Sequence, residues 1–344
     1  MRFDYLVFIG RFEPFHNGHH TVVTHALKHA RKLIVLIGSA GKPRSTKNPW
    51  NANEREVMIR AAAGALTDRL LVRGLPDHLY NETAWVGDVQ RLVREAVVAD
   101  GGGDGAKIGL IGRDKDGSSY YLREFPQWEL IDVQHCEALS ATEIREHLFS
   151  GDEGGQLLIR ANVPAPVNAM LEAFRRTPAF TSLAREFSFL RSYKKGWESA
   201  PYPPTFVTVD AVVVHSGHVL LVRRGAEPGK GLWALPGGFI QQDESLLGGC
   251  LRELREETRL KLPRPVLKGS LKAQAVFDHP DRSQRGRTIT HAYHFDFPAG
   301  ELPPVRGEDD AAKAEWVPVA DALASEEQFF EDHFHILEHF LGTR

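Results

Sequence analysis

The sequence predicts an α/β domain built on a doubly wound parallel sheet, followed by an α+β domain. Its 344 residues suffice for two domains at about 150 residues each. Short apolar runs alternate with helical patterns in the first half, which is typical of parallel sheets whose strands are joined by helices. After about residue 200, predicted strands predominate around one helix near Glu244–Thr258.

Apolar periodicity gives the order of the elements in the first domain. The predicted strands are Tyr5–Ile9, Leu33–Ile37, Leu70–Arg73, Ile108–Ile111 and Leu130–Val133, and the predicted helices are Thr21–Arg31, Asn53–Ala63 and Glu82–Val98. Beyond Ser150 the alternation stops, and helical patterns follow at Val167–Arg175 and Leu183–Arg191. We therefore expect a first domain over residues 1–195, with a core at 1–150 and a helical extension at 151–195.

A linker and a second domain complete the predicted organisation. Gly196 and a cluster of prolines predict a linker over residues 196–204, because both residue types interrupt regular structure. The second domain, 205–344, has predicted strands at Phe206–Val214, Val219–Arg223, Ala273–Phe277 and Thr288–Phe297. The C-terminal segment has apolar residues at helical spacing and is interpreted as a packed helix. Its histidines, His333, His335 and His339, do not share one face, which argues against a metal site there.

Composition excludes several classes of protein. The 42 Lys+Arg and 45 Asp+Glu residues give a formal net charge of −3, which argues against nucleic-acid binding through bulk positive charge. No apolar stretch approaches the roughly 18 residues of a membrane span. The two cysteines lack disulfide or zinc spacing, which favours a reducing compartment. We expect a cytoplasmic protein without nucleic-acid or membrane partners, and a homo-oligomer remains possible.

The segment Gly10–His20 has the composition of a phosphate-binding helix start. It lies where the first predicted strand meets the first helix, and the N–H groups at such a position favour anions. His16 and His19 are three residues apart across Gly18, so both rings can reach one phosphate. The alternative is that the two histidines cap the helix or are simply exposed.

A second phosphate-binding element is predicted at Leu139–Arg145. Ser140 is a plausible N-cap with Glu143 three residues later, a capping box that begins a helix and leaves backbone donors available. Arg145 lies in the first turns of that helix, where its guanidinium could bind phosphate oxygens in bidentate fashion.

These two elements resemble the HxGH and ISxTxxR motifs of the nucleotidyltransferase superfamily. The stretches Ile37–Ile59 and Gly112–Trp128 are similar to the archaeal-like branch of nicotinamide mononucleotide (NMN) adenylyltransferases. The resemblance implies a Rossmann-like fold and adenylyl transfer from ATP to NMN, giving NAD and pyrophosphate, with Mg²⁺ on the triphosphate. It assigns His16, His19 and Arg145 to catalysis, and to ATP or phosphate binding it assigns Gly10, Arg11, Gly18, Lys115, Ser140 and Thr142.

The stretch from Pro76 to Val86 is similar to the nicotinamide-binding segment of that branch. The resemblance implies NMN binding by Asp77, Asn81 and Trp85. Trp85 could stack on the pyridinium ring and Asn81 could hydrogen-bond its carboxamide. The alternative for Trp85 is a core aromatic residue on the long third helix. A further alternative for the domain is adenylyl transfer to another acceptor, such as a phosphopantetheine.

In the second domain, a predicted helix carries Glu253, Glu256 and Glu257 on neighbouring positions of one face. Three close carboxylates repel one another unless cations bind among them, and oxygen ligands suit Mg²⁺ or Mn²⁺. Arg252 precedes Glu256 by four residues and can orient its carboxylate. The alternative is a solvated charged helix face.

The segment Gly238–Leu260 resembles the Nudix box, with Arg259 in place of the usual glycine. The resemblance implies a mixed-sheet Nudix fold with a catalytic helix and a metal site formed by Gly238, Glu253, Glu256 and Glu257. Together with the first domain, the chain resembles bifunctional enzymes that join NAD synthesis to ADP-ribose pyrophosphatase activity. On that basis Arg282, Arg285 and Arg287 are expected to bind ADP-ribose. The alternatives are a Nudix domain that senses a nucleotide without turnover, and hydrolysis of another nucleoside diphosphate derivative.

Overall fold

A computed structural model describes residues 2–112, 122–133 and 139–342. The chain forms two compact units, Met1–Ala184 and Arg185–Arg344. The boundary between them lies within the helix Pro178–Lys195, ahead of the predicted linker. Among the described residues, no helix has the length and apolar character needed to cross a bilayer.

The first unit contains a five-stranded parallel sheet with the strand order β3-β2-β1-β4-β5. Its strands are β1 Phe3–Gly10, β2 Ala30–Ile37, β3 Leu70–Gly74, β4 Ile108–Gly112 and β5 Glu129–Asp132. Its helices are α1 Asn17–His29, α2 Ala52–Ala63, α3 Glu82–Ala99, α4 Ala141–Ser150, α5 Glu153–Asn162 and α6 Ala165–Phe174, followed by α7 Pro178–Lys195. The doubly wound prediction is confirmed.

The central strands of this sheet are buried on both faces, which explains their continuous apolar sequence. Leu6 and Val7 of β1 and Leu33 and Ile34 of β2 are fully buried. Because all five strands are parallel, the loops after β1 and β2 leave the sheet at the same edge, where α/β proteins bind their ligands. This edge therefore brings together the two segments that resemble phosphate-binding motifs and the loop after β2.

The second unit contains a mixed sheet with the order β10-β11-β6-β7-β12, in which β6 and β11 are parallel. Its strands are β6 Thr205–His215, β7 His218–Arg224, β8 Trp233–Ala234, β9 Gly237–Phe239, β10 Leu271–Phe277, β11 Arg287–Phe297 and β12 Ala311–Pro318. Its helices are α8 Leu246–Thr258, α9 Arg264–Gly269, α10 Val319–Leu323 and α11 His333–Leu341. The predicted mixed sheet and single long helix are confirmed.

Helix α8 packs its apolar stripe on the sheet and turns its carboxylates away from that stripe. Cys250, Leu251 and Leu254 join the core of the second unit. The helix ends at Arg259, which adopts the left-handed conformation with φ of 53°. Arg259 stands where the Nudix box has glycine, the residue type that adopts this conformation most readily.

Gly109 in the central strand β4 illustrates how tightly the first sheet is packed. A Cβ at this position would lie 2.7 Å from the Phe3 ring and 3.0 Å from the Glu129 carbonyl oxygen. We expect Gly109→Ala to lower the free energy of unfolding by about 1–3 kcal/mol through overpacking. Gly103→Ala is the control, because no heavy atom lies within 4 Å of its Cβ position. Urea unfolding of both variants checks the prediction, and equal effects would contradict it.

Candidate functional site

The two histidines of the first motif form the start of helix α1. The Nδ1 atom of His16 accepts from Gly18 N–H at 3.1 Å, and the Nδ1 atom of His19 accepts from His16 N–H at 3.3 Å. Their rings lie 3.7 Å apart between centroids. Because each Nδ1 acts as an acceptor, a neutral ring carries its proton on Nε2. Capping of the helix is the alternative role predicted for these histidines. Because the capping contacts use both Nδ1 atoms, the two neutral rings are Nε2–H donors.

Helix α4 contributes Arg145 to the same loop. Ser140 caps the helix as predicted, and its hydroxyl accepts from Glu143 N–H at 3.3 Å. The guanidinium of Arg145 donates to the Glu13 carbonyl at 2.6 Å and to the Thr142 hydroxyl at 3.1 Å. Burial and the neighbouring Arg11 guanidinium lower the pKa of Arg145 to about 10. Arg145 therefore remains charged at neutral pH beside the loop that holds the histidines.

A buried ion pair that the sequence motifs do not predict fixes this loop. The Nε atom of Arg55 in α2 lies 3.1 Å from the Glu13 carboxylate, and each side chain is 1% exposed. The same guanidinium donates to the carbonyls of Arg11 at 2.8 Å, Gly38 at 2.7 Å and Ser39 at 3.1 Å. Arg55 thus joins the loop after β1 to the loop after β2.

Burial raises the pKa of Glu13, and the Arg55 guanidinium and the Trp50 N–H act in the opposite direction by stabilising the carboxylate. A sequence signal for the pair did exist, because Arg55 interrupts the buried stripe of α2 formed with Met58 and Ile59. A charged side chain on an apolar stripe requires a buried partner.

The remaining predicted phosphate ligands differ in their surroundings. Gly10 has no room for a side chain, since its Cβ would lie 2.9 Å from the Phe12 ring. Gly18 directs its N–H to His16, and Arg11 is exposed. Lys115 lies outside the described residues.

The predicted nicotinamide-binding residues lie after β3 and at the start of α3. Asp77 accepts from Ser39 N–H at 3.2 Å, which ties it to the loop held by Arg55. Asn81 caps α3 by accepting from Ala84 N–H at 3.1 Å. Trp85 is half-buried and lies 6.2 Å from Phe125 between ring centroids, packed against the core. One part of the Trp85 side chain is therefore packed against the core, and the rest of its surface is exposed.

In the second unit, Arg252 lies at the centre of a carboxylate network. Its guanidinium donates to Glu253 at 2.8 Å and to Glu256 at 2.9 Å, and it pairs with Glu244 at 2.7 Å. It also donates to the Phe239 carbonyl at 3.2 Å. The predicted orientation of Glu256 by Arg252 is confirmed. The space beside Gly249 is filled by Glu244, whose carboxylate lies 2.8 Å from the Cβ position of that glycine.

Glu257 is the buried member of the three carboxylates. It accepts from Gly237 N–H at 3.0 Å, and burial raises its pKa to about 8. The neighbouring Gly238 lies directly against Glu253, because its Cβ would be 2.7 Å from the Glu253 carboxylate. The helix and the glycine segment are therefore adjacent in the structure, and their binding of a metal stays a prediction.

The three arginines expected to bind ADP-ribose have different roles in the structure. Arg282 is buried and forms a bidentate pair with Asp332 through its Nε and Nη2 atoms, at 2.8 and 2.9 Å. Arg285 lies over the Phe239 ring at 5.0 Å from its centroid. Arg287 donates to the Asp278 carbonyl and keeps a partly exposed side chain. Arg285 and Arg287 thus remain the more accessible of the three.

Comparisons with known proteins agree with both units. Residues 7–147 match the family described as Cytidylyltransferase-like, and residues 204–340 match the NUDIX domain. The nicotinamide/nicotinic acid mononucleotide adenylyltransferase of Acinetobacter baylyi is 36% identical over 188 residues, 54% of this chain and 94% of that protein. The ADP-ribose pyrophosphatase of Methanocaldococcus jannaschii is 37% identical over 110 residues, 32% of this chain and 60% of that protein.

One solved structure covers both units. It is a bifunctional NMN adenylyltransferase/ADP ribose pyrophosphatase from Francisella tularensis, complexed with AMP and a manganese ion, with 35% identity, 98% coverage of both chains and a TM-score of 0.91. The chain belongs to this bifunctional family. The chain therefore contains a nucleotidyltransferase unit followed by a Nudix unit, as the two motifs predicted.

The Nudix unit has donors of the type that a divalent cation requires. Its three glutamates and the Gly238 backbone supply oxygen ligands only, which suits Mg²⁺ or Mn²⁺. Among the described residues, no three His, Cys, Asp or Glu side chains are grouped closely enough to hold an ion as they stand. Arg252 and the Gly237 N–H bind the carboxylate oxygens, so cation binding would exchange these contacts for ligand bonds.

We expect Arg55→Met to abolish adenylyl transfer while ADP-ribose hydrolysis stays within about two-fold. Loss of the guanidinium leaves the Glu13 carboxylate buried without its partner, which costs about 3–5 kcal/mol of stability in comparable cases. Urea unfolding and assays of both activities check this. Arg60→Met is the control, because Arg60 lies on the same helix in an exposed pair with Glu56. Equal stability of the two variants would contradict the role given to Arg55.

Arg282 and Arg285 should respond differently to substitution. We expect Arg282→Met to destabilise the Nudix unit by about 3–5 kcal/mol, because Asp332 would be left buried without its partner. Arg285→Met should destabilise the unit less, because its partner Glu331 keeps hydrogen bonds from Ser283 and Gln284, and it should raise KM for ADP-ribose more than it lowers kcat. Urea unfolding and steady-state kinetics separate the two effects. A stable Arg282→Met variant with a raised KM would restore Arg282 as a substrate ligand.

Proposed function

We propose that the chain catalyses two reactions of NAD metabolism at separate sites. The first unit transfers the adenylyl group of ATP to NMN, giving NAD and pyrophosphate. The second unit hydrolyses ADP-ribose to AMP and ribose 5-phosphate with Mg²⁺ or Mn²⁺. The observation that carries this proposal is the match over 98% of the chain to a bifunctional protein of this type, together with a complete set of motif side chains in each unit.

In the first reaction, an oxygen of the NMN phosphate attacks the α-phosphorus of ATP, and the bond to the bridging oxygen of pyrophosphate breaks. The two Nε2–H groups of His16 and His19 donate to phosphate oxygens that gain negative charge as this happens. Arg145 supplies a positive charge to the same oxygens, and Arg11 and Lys115 contact the triphosphate. The phosphates of ATP approach the backbone closely at Gly10, Gly18, Ser140 and Thr142. Mg²⁺ binds together with the triphosphate.

The acceptor is recognised at the start of α3. Asn81 donates its amide to the nicotinamide carboxamide and Trp85 stacks on the pyridinium ring. Asp77, which accepts from Ser39 N–H of the loop after β2, contacts the same mononucleotide. A phosphopantetheine acceptor lacks an aromatic cation, so this arrangement favours NMN. Formation of NAD from NMN and ATP tests the acceptor directly.

In the second reaction, Glu253, Glu256, Glu257 and the Gly238 carbonyl would hold the divalent cation. When bound, the cation neutralises the diphosphate and lowers the pKa of a coordinated water. Arg252 orients the glutamates, and Arg285 and Arg287 contact the phosphates of ADP-ribose. The bond between phosphorus and the bridging oxygen breaks, and the water oxygen remains on one of the two phosphate products.

Two single substitutions should separate the activities. We expect His19→Ala to lower NAD formation by about 10²–10³-fold, the effect of removing one donor from a developing charge, and to leave hydrolysis within a few-fold. Glu257→Gln should lower hydrolysis at least about 100-fold and spare NAD formation. The amide oxygen of glutamine can still accept from Gly237, which preserves the local fold.

The assays measure NAD from NMN and ATP and AMP from ADP-ribose, with His20→Ala as the control for α1. Loss of both activities in either variant would contradict separate sites. If the wild-type chain binds ADP-ribose with Mg²⁺ but forms no AMP at enzyme concentrations near that of the substrate, the hydrolase proposal fails and a nucleotide-sensing unit replaces it.

A further inference from the structure

The glycine segment Leu235–Gly238 of the Nudix unit is bound by buried groups on several sides. Ala211 N–H of β6 donates to the Pro236 carbonyl at 2.8 Å. Gly237 N–H donates to Glu257, and a Cβ on Gly237 would lie 2.2 Å from a β6 carbonyl oxygen. Residues Gly237–Phe239 pair with β6 as strand β9, so this pairing holds one end of the segment, and the Leu235 N–H at the other end is bound by a different element.

One of these groups comes from the C-terminal helix. Leu235 N–H donates to the Nδ1 atom of His333 at 3.0 Å, and His333 is 8% exposed. His333 is the first residue of α11, nearly a hundred positions from Leu235 in the chain. Since Nδ1 accepts this hydrogen bond, a neutral ring carries its proton on Nε2.

Burial favours the neutral ring that this contact needs. It lowers the pKa of His333, and the Arg282 guanidinium acts in the same direction, while the carboxylates of Asp210, Asp332 and Glu331 act in the opposite direction. Asp210 accepts from the Thr290 hydroxyl at 2.6 Å, and its other oxygen lies 3.9 Å from Nδ1 of His333. The Leu235 N–H is thus the hydrogen-bond partner of Nδ1.

We infer that His333 is a positioning residue of the Nudix site, one that fixes the Leu235–Gly238 backbone so that the Gly238 carbonyl faces the glutamates of α8. This inference rests on the proposed function of the second unit. Gly238 lies directly against Glu253, so a shift of a few tenths of an ångström in the segment changes the spacing between the carbonyl and the carboxylates. Residues that orient metal ligands typically contribute 10–100-fold to metal affinity.

Two substitutions distinguish positioning from packing. His333→Asn keeps an acceptor, because the asparagine Oδ1 occupies nearly the place of the histidine Nδ1. His333→Leu keeps a buried side chain but leaves the Leu235 N–H without an acceptor. We expect Mn²⁺ binding by the full chain, measured by calorimetry with Glu257→Gln as the blank, to weaken at least about 10-fold in His333→Leu and less than about three-fold in His333→Asn.

Further readouts separate this inference from the proposed function. NAD formation should be unchanged in both variants, and the NMR signal of the Leu235 amide should shift in His333→Leu alone. Equal Mn²⁺ affinity in His333→Leu and wild type would overturn the inference. If His333→Leu does not fold, His333→Gln replaces it in the comparison. The amide oxygen of glutamine is displaced by one methylene from the position of the acceptor in His333→Asn. Equal Mn²⁺ affinities of the Asn and Gln variants would then overturn the inference. Wild-type chain that binds Mn²⁺ but produces no AMP would overturn the proposed hydrolysis instead.

Discussion

The buried pair between Arg55 and Glu13 is the interaction on which the first site depends. A guanidinium and a carboxylate that are both removed from water must satisfy each other and their remaining hydrogen-bonding groups. Arg55 does so by binding carbonyls after β1 and after β2, and Glu13 accepts from Trp50 N–H. The backbone carbonyl oxygen of Glu13 in turn accepts a hydrogen bond from the Arg145 guanidinium. One ion pair thus sets the relative position of both phosphate-binding elements.

The Nudix unit also has a central arginine paired with carboxylates, and this arginine is more exposed than Arg55. Arg252 binds three carboxylates that would otherwise repel one another, those of Glu244, Glu253 and Glu256. The buried Glu257 carboxylate accepts from Gly237 N–H of the glycine segment. In both units an arginine orders the surrounding backbone or side chains, and in the first unit these contacts are complete before a ligand binds. Preorganisation of this kind reduces the reorganisation needed during reaction. Local arginines, histidines and carboxylates also explain why a net charge of −3 is compatible with anionic substrates.

Much of this could be predicted from the sequence. The five strands of the first sheet, the carboxylate helix and the cap at Ser140 could be predicted, because periodicity and capping are local properties. Helix α5 and strand β12 were missed, and α1 begins at Asn17, earlier than predicted, because His16 itself is the cap. The pairing of Arg282 with Asp332, fifty positions away, could not be predicted from local spacing, and its binding of ADP-ribose stays a prediction.

The sequence by itself determined the two motifs, their order and the residue types that can bind phosphate or a divalent cation. Spacing along a single helix or turn decides which side chains share a face, and that information is local. Only the tertiary structure decided which charges are paired. Arg55, Arg282 and His333 all reach partners on other elements. Burial makes such pairing obligatory but does not specify the partner, and the partner follows from how the sheets and helices pack.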